Sequence, residues 1–396
     1  MPLIHDGYFN EHSYEVKKWG DIKSGFTHFA ENDIGIAKIT PCFENRKSVV
    51  FHNLVNGIGS GTTELFILRT IKEMIIPEYL LWIVKSNGFI QGGIQTYTGD
   101  VGQQRIRRNY LTEYLIAIPP FAEQHRILDS LNVAFSQVDL LETNHHELSN
   151  LINVVKSKIL GLAIRGKLVP QNPDDEPASI LLERIRAEKE SLIKQGKIKR
   201  DKKESVIFKG EDNSYYEKIG NVTSCIDDFI PFEVPDSWHW YRIGDLVINF
   251  DNQRKPITKH DRKNELGLYD YYGATGAIDK VDSYIFDGEF LMIGEDGGNF
   301  FTDRENSFIA SGKFWANNHV HVVQPIICDI WFLKFFLDSC DLSSMGLITG
   351  IGVPKLNQAN LNKILVPIPP IEEQLLISDY IKNILNVLNS IEKSLA

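Results

Sequence analysis

The chain has 396 residues, of which 43% are hydrophobic and 24% charged, so it is long enough for two or three globular domains. A formal net charge of −10 argues against a surface that is basic all over, although it allows local basic faces. Four scattered cysteines argue against a disulfide framework or a thiolate zinc site. Neither a signal-peptide layout nor a membrane-spanning apolar run is present, so a cytoplasmic protein is expected.

Residues 1–120 are expected to form a first globular domain. The segment "PEYLLWIVKSNGF", from Pro77, predicts a buried helix, and the Gly-rich "TYTGDVGQQRI", from Thr96, predicts a turn. The β-branched run "YLIAIPP" then predicts a strand that Pro119 and Pro120 end. Because the second proline suits the first position of a helix, this proline elbow is expected to lead into one.

Residues 121–200 are predicted to begin with a long helix. Glu123 lies in its first turn, where the helix dipole favours negative charge. Apolar residues then recur in steps of four and three over about five heptads, which is the pattern of a coiled-coil seam. His145 is the polar seam position, interpreted as a half-solvated core histidine or, alternatively, as a pH switch or ligand. The seam is Ile127, Leu131, Ala134, Val138, Leu141, His145, Leu148, Ile152, Val155, Ile159 and Leu162.

The segment after the long helix contains several breaks. Gly166 is expected to end the helix, and "NPDDEP" predicts a turn. A second helix is predicted from about Ala178 to Lys194. The Lys/Arg-rich run after it is either a solvated linker or a phosphate or partner contact. Residues 201–234 are expected to be a mobile polar linker.

Residues 235–370 repeat the first domain, and residues 371–396 repeat the start of the long helix. "IPPIEEQ" begins at Ile368, 250 residues after "IPPFAEQ" begins at Ile118. "DIWFLKFFLDSCDL" and "LITGIGVPKL" match the buried helix and the Gly-rich turn. The sequence therefore predicts an α+β protein with an internal repeat. The second seam keeps the register of the first through Ile377, Ile381, Ile384, Leu388, Ile391 and Leu395.

Two departures from the repeat are visible. An offset of 250 residues aligns Met1 with Asp251, so the first domain lacks a counterpart of "VPDSWHWYRIGDLVINF" and is expected to be N-terminally short. The distal helix is also shorter than the central one. A natural short variant, a recombined chain and a fragment all remain open, as does repair by a second copy of the chain.

The chain resembles the DNA sequence-specificity subunits of type I restriction–modification systems. The resemblance rests on the two proline elbows, on the block "AIRGKLVPQNPDDEPASILLERIRAEKESLIKQGKIK" and on "VPDSWHWYRIGDL". The resemblance covers nearly the whole chain. It implies two target-recognition domains, each reading half of a bipartite DNA site, with antiparallel helices as the spacer. It also implies a non-catalytic chain that works with methyltransferase and restriction/translocase subunits. S-adenosylmethionine, Mg and ATP are expected on those partners.

Within this resemblance, basic and amide side chains of the second domain are candidate DNA contacts. Basic residues suit phosphates or guanine edges, and asparagines suit adenine edges. Asn317 as a turn cap and Tyr271 as a core residue are the alternatives. A metal site at His319 and His321, expected on one strand face, lacks a third ligand. The candidates are Arg254, Lys255, Lys259, Arg262, Tyr271, Tyr272, Lys313, Asn317, Asn318 and Lys355.

In the first domain, the candidates lie in "TPCFENRKS", "GIGSGTTE" and the Gly-rich turn. The turn arginines are expected to clamp phosphate. These candidates are Asn45, Arg46, Lys47, Ser60, Thr62, Thr63, Arg105, Arg107 and Arg108.

The sequence disfavours two enzymatic functions and leaves two non-enzymatic alternatives open. A methyltransferase would need an N-P-P-Y-type motif, which is absent, and a nuclease at Glu295 and Asp296 would need a lysine partner, which the sequence does not offer. A protein-only coiled-coil adaptor and an inactive, truncated specificity cassette remain the alternatives.

Overall fold

In a computed structural model, which describes residues 3–8, 10–100, 102–200, 205–262, 267–300 and 305–395, the chain divides into two units. The units are Met1–Asn144 and His145–Ala396. Both mix helices with mainly antiparallel sheets, so the predicted α+β class is confirmed. No helix in the described residues combines the length and apolar character that crossing a membrane requires.

The first unit contains two small antiparallel sheets. One pairs β1 with β4, and the other has the order β3-β2-β5. Helix α5 begins in this unit and continues into the second. The elements are α1 (Trp19–Ile22), β1 (Thr27–Ala30), β2 (Ile34–Ala37), β3 (Ser48–Val50), β4 (Ile58–Gly61), β5 (Leu65–Leu68), α2 (Pro77–Lys85), α3 (Asn87–Ile94), α4 (Arg108–Glu113) and α5 (Phe121–Ala163).

The second unit is built around a six-stranded sheet of order β10-β15-β13-β14-β11-β12, with a β6-β7-β8 meander and a β9-β16 pair. Its helices are α6 (Ala178–Lys194), α7 (Ile243–Leu246), α8 (Lys259–Arg262), α9 (Ile330–Ser339), α10 (Gln358–Leu361) and α11 (Ile371–Leu395). Its strands are β6 (Ser205–Lys209), β7 (Tyr215–Ile219), β8 (Val222–Cys225), β9 (His239–Arg242), β10 (Val247–Asn249), β11 (Tyr269–Gly273), β12 (Gly276–Val281), β13 (Phe286–Gly294), β14 (Ser307–Ala316), β15 (Val320–Pro325) and β16 (Leu365–Ile368).

Each proline elbow is held by one fully buried glutamine. In the first unit, Gln124 accepts a hydrogen bond from Ile76 N (2.9 Å) and donates to Met74 O (2.8 Å) and Pro119 O (3.0 Å). Ile76 directly precedes α2, so this glutamine satisfies a backbone N–H that the helix start leaves unpaired.

The second elbow repeats this arrangement 250 residues later. Gln374 accepts from Asp329 N (2.9 Å), at the start of α9, and donates to Pro369 O (2.9 Å). The glutamine of each "IPP-x-x-EQ" therefore joins the first turn of the long helix to the buried helix of its own unit. The predicted internal repeat is present as a repeated set of hydrogen bonds.

The predicted long helices are confirmed. Helix α5 has 43 residues and includes the whole seam, and Gly166, with φ of 64°, follows its end as predicted. In the second unit, α11 and the end of α5 run in opposite directions. His145 Nε2 lies 3.0 Å from Leu395 O, while Ile159 and Ile377 share a core. His145 is exposed, which corrects its assignment to a half-solvated core position.

Two predictions of secondary structure were wrong. The described part of the expected linker, from Ser205 onward, forms the β6-β7-β8 meander, because Ile207 and Tyr215 pack against Trp240. The strand predicted at "YLIAIPP" does not form, whereas its counterpart "ILVPIPP" forms β16 by pairing with β9. A strand needs a partner, and the described residues of the first unit provide none for this segment.

We predict that Gln374→Leu lowers the free energy of unfolding of the second unit by about 2–4 kcal/mol, because buried backbone groups lose their partners. Gln124→Leu is expected to lower that of the first unit instead. Urea unfolding followed by amide hydrogen exchange assigns each loss to its unit. The neighbouring exposed Glu372→Gln is the control and should change little.

Candidate nucleic-acid interface

A network of charged side chains joins the loops at one part of the six-stranded sheet. Three residues connect β14 to β15, and among them His319 O accepts a hydrogen bond from Glu295 N, just after β13 (2.8 Å). Arg254, which follows β10, donates to Glu295 Oε2 (2.7 Å) and Val320 O (2.6 Å). Asp251 accepts from Val322 N (3.0 Å). These contacts fix the loops after β10 and β13 and the turn before β15.

His321 lies at the centre of this network and is fully buried. Its Nδ1 lies 2.6 Å from Asp251 Oδ2, and its Nε2 lies 2.7 Å from Leu356 O. Burial would raise the pKa of Asp251, but the hydrogen bond and charge of His321 hold that pKa below its ordinary value. Both ring nitrogens lie within hydrogen-bond distance of oxygens, so the ring is held between Asp251 and the carbonyl of Leu356.

This geometry corrects the sequence interpretation of the two histidines. His319 lies in the turn before β15 and is exposed, so it does not share a strand face with His321. Asp251 and Glu295 lie close to His321 and resemble a ligand set. Both imidazole nitrogens, which a metal ion would need as ligands, already lie at hydrogen-bond distance from protein oxygens. In this geometry the three side chains form part of a charge network with Arg254.

The structure also supplies the lysine that the sequence did not assign to Glu295 and Asp296. Lys355 Nζ lies 3.2 Å from Glu295 Oε1 and 3.0 Å from Asp296 Oδ1. These bonds raise the pKa of Lys355 and help to lower that of Asp296, against the effect of burial. Arg254 occupies the other oxygen of Glu295, so the group is a compensated salt-bridge network.

Four predicted DNA contacts of the second domain are engaged inside the protein. Tyr271 is only 1% exposed, and its hydroxyl accepts from Ile257 N (2.9 Å), so it is a core residue. Asn317 is buried and caps its turn by accepting from His319 N (2.8 Å). Arg254 has 11% of its side chain exposed, and Arg262 lies over the Tyr271 ring while bonding Asp279 (2.8 Å).

Most of the other predicted side chains of the second domain lie at the surface. Lys255, Lys259 and Asn318 are exposed, and neither lysine forms a salt bridge in the described part of the chain. Trp315 Nε1 donates to Lys255 O (2.7 Å), which fixes the lysine backbone. Lys313 is exposed and lies 4.6 Å from the Tyr284 ring centroid. Tyr272 is half-buried against Phe314.

In the first unit, the basic residues of "TPCFENRKS" mainly hold the segment that contains residues 3–8. Arg46 Nε donates to Lys85 O (3.0 Å), and its guanidinium lies over the Tyr8 ring. Lys47 Nζ donates to Ile4 O (3.1 Å). Burial, with the nearby charge of Arg46, lowers the pKa of Lys85 to about 8. Arg46 and Lys47 are thus structural cations, whereas Asn45 is exposed.

Some of the remaining first-unit candidates are bonded within the protein, and others are exposed. Arg105 makes two bonds of 2.9 Å to Glu64, and Thr62 Oγ1 accepts from Glu64 N, so these groups brace the loop. Ser60 lies in β4, opposite His28. Thr63, Arg107 and Arg108 are exposed, and the two arginine side chains make no internal bond in the described residues.

Residues 14–26 of the first unit form a basic and aromatic surface segment that was not among the predicted DNA contacts. Lys17, Lys18, Trp19 and Lys23 are exposed there, with the Trp19 ring 5.2 Å from His28. Interleaved basic and aromatic residues are typical of nucleic-acid contacts. That pattern was the available signal.

Known proteins with similar sequences and folds show the family to which the chain belongs. Residues 235–396 match the model of the type I restriction modification DNA specificity domain. The specificity subunit of the type I restriction enzyme EcoAI of Escherichia coli is 32% identical, over 94% of this chain and 70% of that protein. The EcoEI specificity subunit of Escherichia coli is 37% identical, over 63% of this chain and 46% of that protein.

Solved structures agree on the fold. The HsdS subunit from Thermoanaerobacter tengcongensis superposes with a TM-score of 0.61 at 12% identity, over all of this chain and 84% of that one. The chain belongs to the family of type I restriction enzyme specificity subunits, which are the non-catalytic parts of their complexes.

We predict that Asp251→Asn lowers the free energy of unfolding of the second unit by about 3–5 kcal/mol at pH 7, because it removes the carboxylate that Arg254 and the buried His321 contact. The lowered pKa of Asp251 means that its ionised form stabilises the fold above about pH 4. This stabilisation is lost as pH falls through the folded-state pKa.

Urea unfolding of the second unit at pH 7 and pH 3 measures both effects. The difference between wild type and variant should shrink at pH 3. The exposed Asp287→Asn, in β13, is the matched control and should follow wild type at both pH values. An equal deficit of Asp251→Asn at both pH values would contradict the charge-network assignment.

Proposed function

We propose that this chain reads DNA sequence for a type I restriction–modification complex, each unit contributing one half of a bipartite site. The main support is the repeated proline elbow, in which Gln124 and Gln374 make equivalent buried hydrogen bonds. The loops of the two units differ in sequence. Two domains with the same fold but different loop sequences are suited to recognising two different DNA half-sites. In this proposal, residues 1–120 and 235–370 are the target-recognition domains, and the β6-β7-β8 meander belongs to the second.

Exposed polar side chains on braced loops support the DNA-reading role. Lys255 and Lys259 suit phosphates, and Asn318 can offer its amide to an adenine edge. In the first unit, Arg107 and Arg108 suit phosphates, and residues 14–26 add a basic and aromatic surface. A net charge of −10 still allows such local basic surfaces, and the methyltransferase subunits would supply further phosphate contacts.

The helices, residues 121–200 and 371–396, support the spacer role. At about 1.5 Å per residue, the 43 residues of α5 extend about 65 Å, which exceeds the roughly 34–36 Å of one DNA turn. A rigid helix of this length keeps unread base pairs between two half-sites. One chain carrying both readers also makes the second half-site contact intramolecular.

Exposed apolar side chains along the helices support the docking of methyltransferase subunits, with restriction/translocase subunits joining that assembly. Such rows on soluble helices mark protein contacts. S-adenosylmethionine, Mg and ATP would lie on those partners. The exposed residues are Val133, Val138, Leu140, Leu141, Leu151 and Val154 of α5 and Leu375, Leu376, Val387 and Ile391 of α11.

These same residues favour the second candidate, a protein-only adaptor. An adaptor would bind methyltransferase subunits without selecting DNA. Gel-shift competition between target and scrambled duplexes, with the partners present, separates the two candidates.

We predict that replacing Lys255 and Lys259 together by alanine weakens binding to all duplexes alike and lowers the slope of log affinity against log salt by about 2. The reason is that two fewer counterions are released. Fluorescence anisotropy of the reconstituted complex over a salt series measures this slope. Lys218→Ala, on the meander, is the exposed control, and an unchanged slope for the double variant would remove these lysines from the interface.

We predict that deleting seven residues between Val138 and Leu148 shortens the unread spacer by about three base pairs. Seven residues remove about 10 Å and keep the phase of the heptad seam. Sequencing of methylated DNA from cells that carry the variant measures the spacer. Deleting five residues rotates the seam by about 140° and should abolish recognition; an unchanged spacer after the seven-residue deletion would contradict the spacer role.

A further inference from the structure

A glycine-rich finger of the second unit begins at Thr349 and ends at Lys355. Two backbone hydrogen bonds between these residues, of 2.8 and 2.7 Å, close its base. Equivalent bonds between Thr98 and Arg105 close the corresponding turn of the first unit. The enclosed sequences differ, since they are "GIGVP" in the second unit and "GDVGQQ" in the first. The finger is therefore a repeated element of the fold whose tip differs between the two units.

The base of the finger is fixed to the rest of the second unit. Lys355 Nζ forms salt bridges to Glu295 and Asp296. Pro354 O accepts a hydrogen bond from Gly297 N (2.9 Å), and the side chain that follows Lys355 in the sequence is fully buried. These contacts hold the finger on both sides, so it does not swing freely about its base.

The tip of the finger presents apolar side chains to solvent. Ile351 is completely exposed, and Val353 is 59% exposed. Gly350 and Gly352, on either side of Ile351, have φ angles of 99° and 96°, which favour glycine. A Cβ atom at Gly350 would also collide with the carbonyl oxygen of Val353. The two glycines allow the tight bend and leave the Ile351 side chain without a side-chain neighbour in the sequence.

The finger adjoins the turn that contains Asn318, a candidate base-reading residue. Asp296, which bonds Lys355, also lies 3.1 Å from the His319 ring, between its Oδ2 and Nδ1 atoms. Glu295 N donates to His319 O (2.8 Å). Single exposed apolar side chains are common on protein surfaces. This one, however, lies on a fixed base beside a candidate DNA contact, which favours DNA over a protein as its partner.

The chemistry of the tip suits one feature of the DNA major groove. The C5-methyl group of thymine lies in that groove, and apolar side chains recognise it by direct contact. Asparagine amides recognise adenine in the same groove. A branched aliphatic side chain at Ile351, near the amide of Asn318, therefore suits a half-site that contains A·T pairs.

We propose that Ile351 recognises the C5-methyl group of a thymine in the half-site that the second unit reads. This inference rests on the proposed DNA-reading function and names one contact within it. Burying a single methyl group between the side chain and the base is worth about a fourfold gain in affinity. Ile351 is thus a specificity-determining residue at one position of the site.

The probes are two pools of random-sequence duplex, one made with thymidine and one with deoxyuridine, which lacks the C5-methyl group. Each pool is selected for binding to the chain reconstituted with its methyltransferase subunits, and the enriched duplexes are sequenced. We expect the wild-type complex to enrich one bipartite motif from both pools. At one position of one half-site, the preference should fall about fourfold in the deoxyuridine pool.

The variant Ile351→Ala identifies the contact. With this variant, the preference at that position should be equally low in both pools, while the other half-site keeps its preferences. Val222→Ala, which changes a 69% exposed residue of the meander, is the control and should follow wild type. A difference between the pools that Ile351→Ala retains at every position would overturn the proposal.

Two further variants test how the finger places this side chain. Ile351→Val keeps a branched methyl group and should retain most of the thymine preference. Gly350→Ala leaves Ile351 intact but cannot adopt the backbone of the tip, so it should lose that preference. Gly346→Ala, also at positive φ but with open space around its Cβ, is the matched control. Retained preference in Gly350→Ala would overturn the role of the finger.

The outcomes separate this proposal from the proposed function. A motif enriched equally from both pools would leave the chain a DNA reader and overturn only the Ile351 contact. Absence of any enriched motif would contradict both. If Ile351→Ala lost its methyltransferase subunits in analytical ultracentrifugation while its motif stayed unchanged, the tip would be a protein contact and the proposal would be overturned.

Discussion

The fold depends on a glutamine buried at each proline elbow. A buried amide that finds partners for all its groups stabilises one arrangement, and one that loses them is costly. Gln124 and Gln374 each join a proline carbonyl to the start of a buried helix. The direction in which each long helix leaves its unit is therefore set by hydrogen bonds that cannot shift independently of the core.

Some charged side chains of the second unit form internal salt bridges, and others are exposed at the surface. Arg254 and Lys355 are cations whose partners are buried or half-buried carboxylates, and His321 lies between a carboxylate and a carbonyl. They fix the loops after β10 and β13 and the turn before β15. The exposed side chains Lys255, Lys259 and Asn318 lie on or next to those braced segments. An acidic protein can in this way present a local basic surface.

The sequence predicted the repeat, both long helices and the elbow prolines, because periodicity and a fixed offset are local signals. Helix α6 forms over the predicted Ala178–Lys194. The roles of single cations were not predictable in the same way. Arg254 and Lys255 are neighbours in sequence, yet one lies in a buried network and the other at the surface. That difference arises from Glu295, Val320 and Asp251, which the neighbouring strands β10, β15 and β13 bring together.

Which segments form strands was the other feature that the sequence did not predict correctly. "YLIAIPP" and "ILVPIPP" have similar strand propensity, but only the second pairs, because β9 lies beside it. The strands of the meander at Ser205–Cys225 were likewise not predicted, because the segment is mostly polar. Its few inward residues, such as Ile207, pack against Trp240. Both cases depend on a partner strand far along the chain.

The central claim is that this chain selects a DNA sequence for methylation. The most direct test is a genome-wide map of methylated adenine in cells with and without the gene. The account predicts that one bipartite motif, two short specified halves around an unread spacer, loses its methylation when the gene is deleted. An unchanged map in cells that express the chain and its methyltransferase partners would contradict the claim and support the protein-only adaptor.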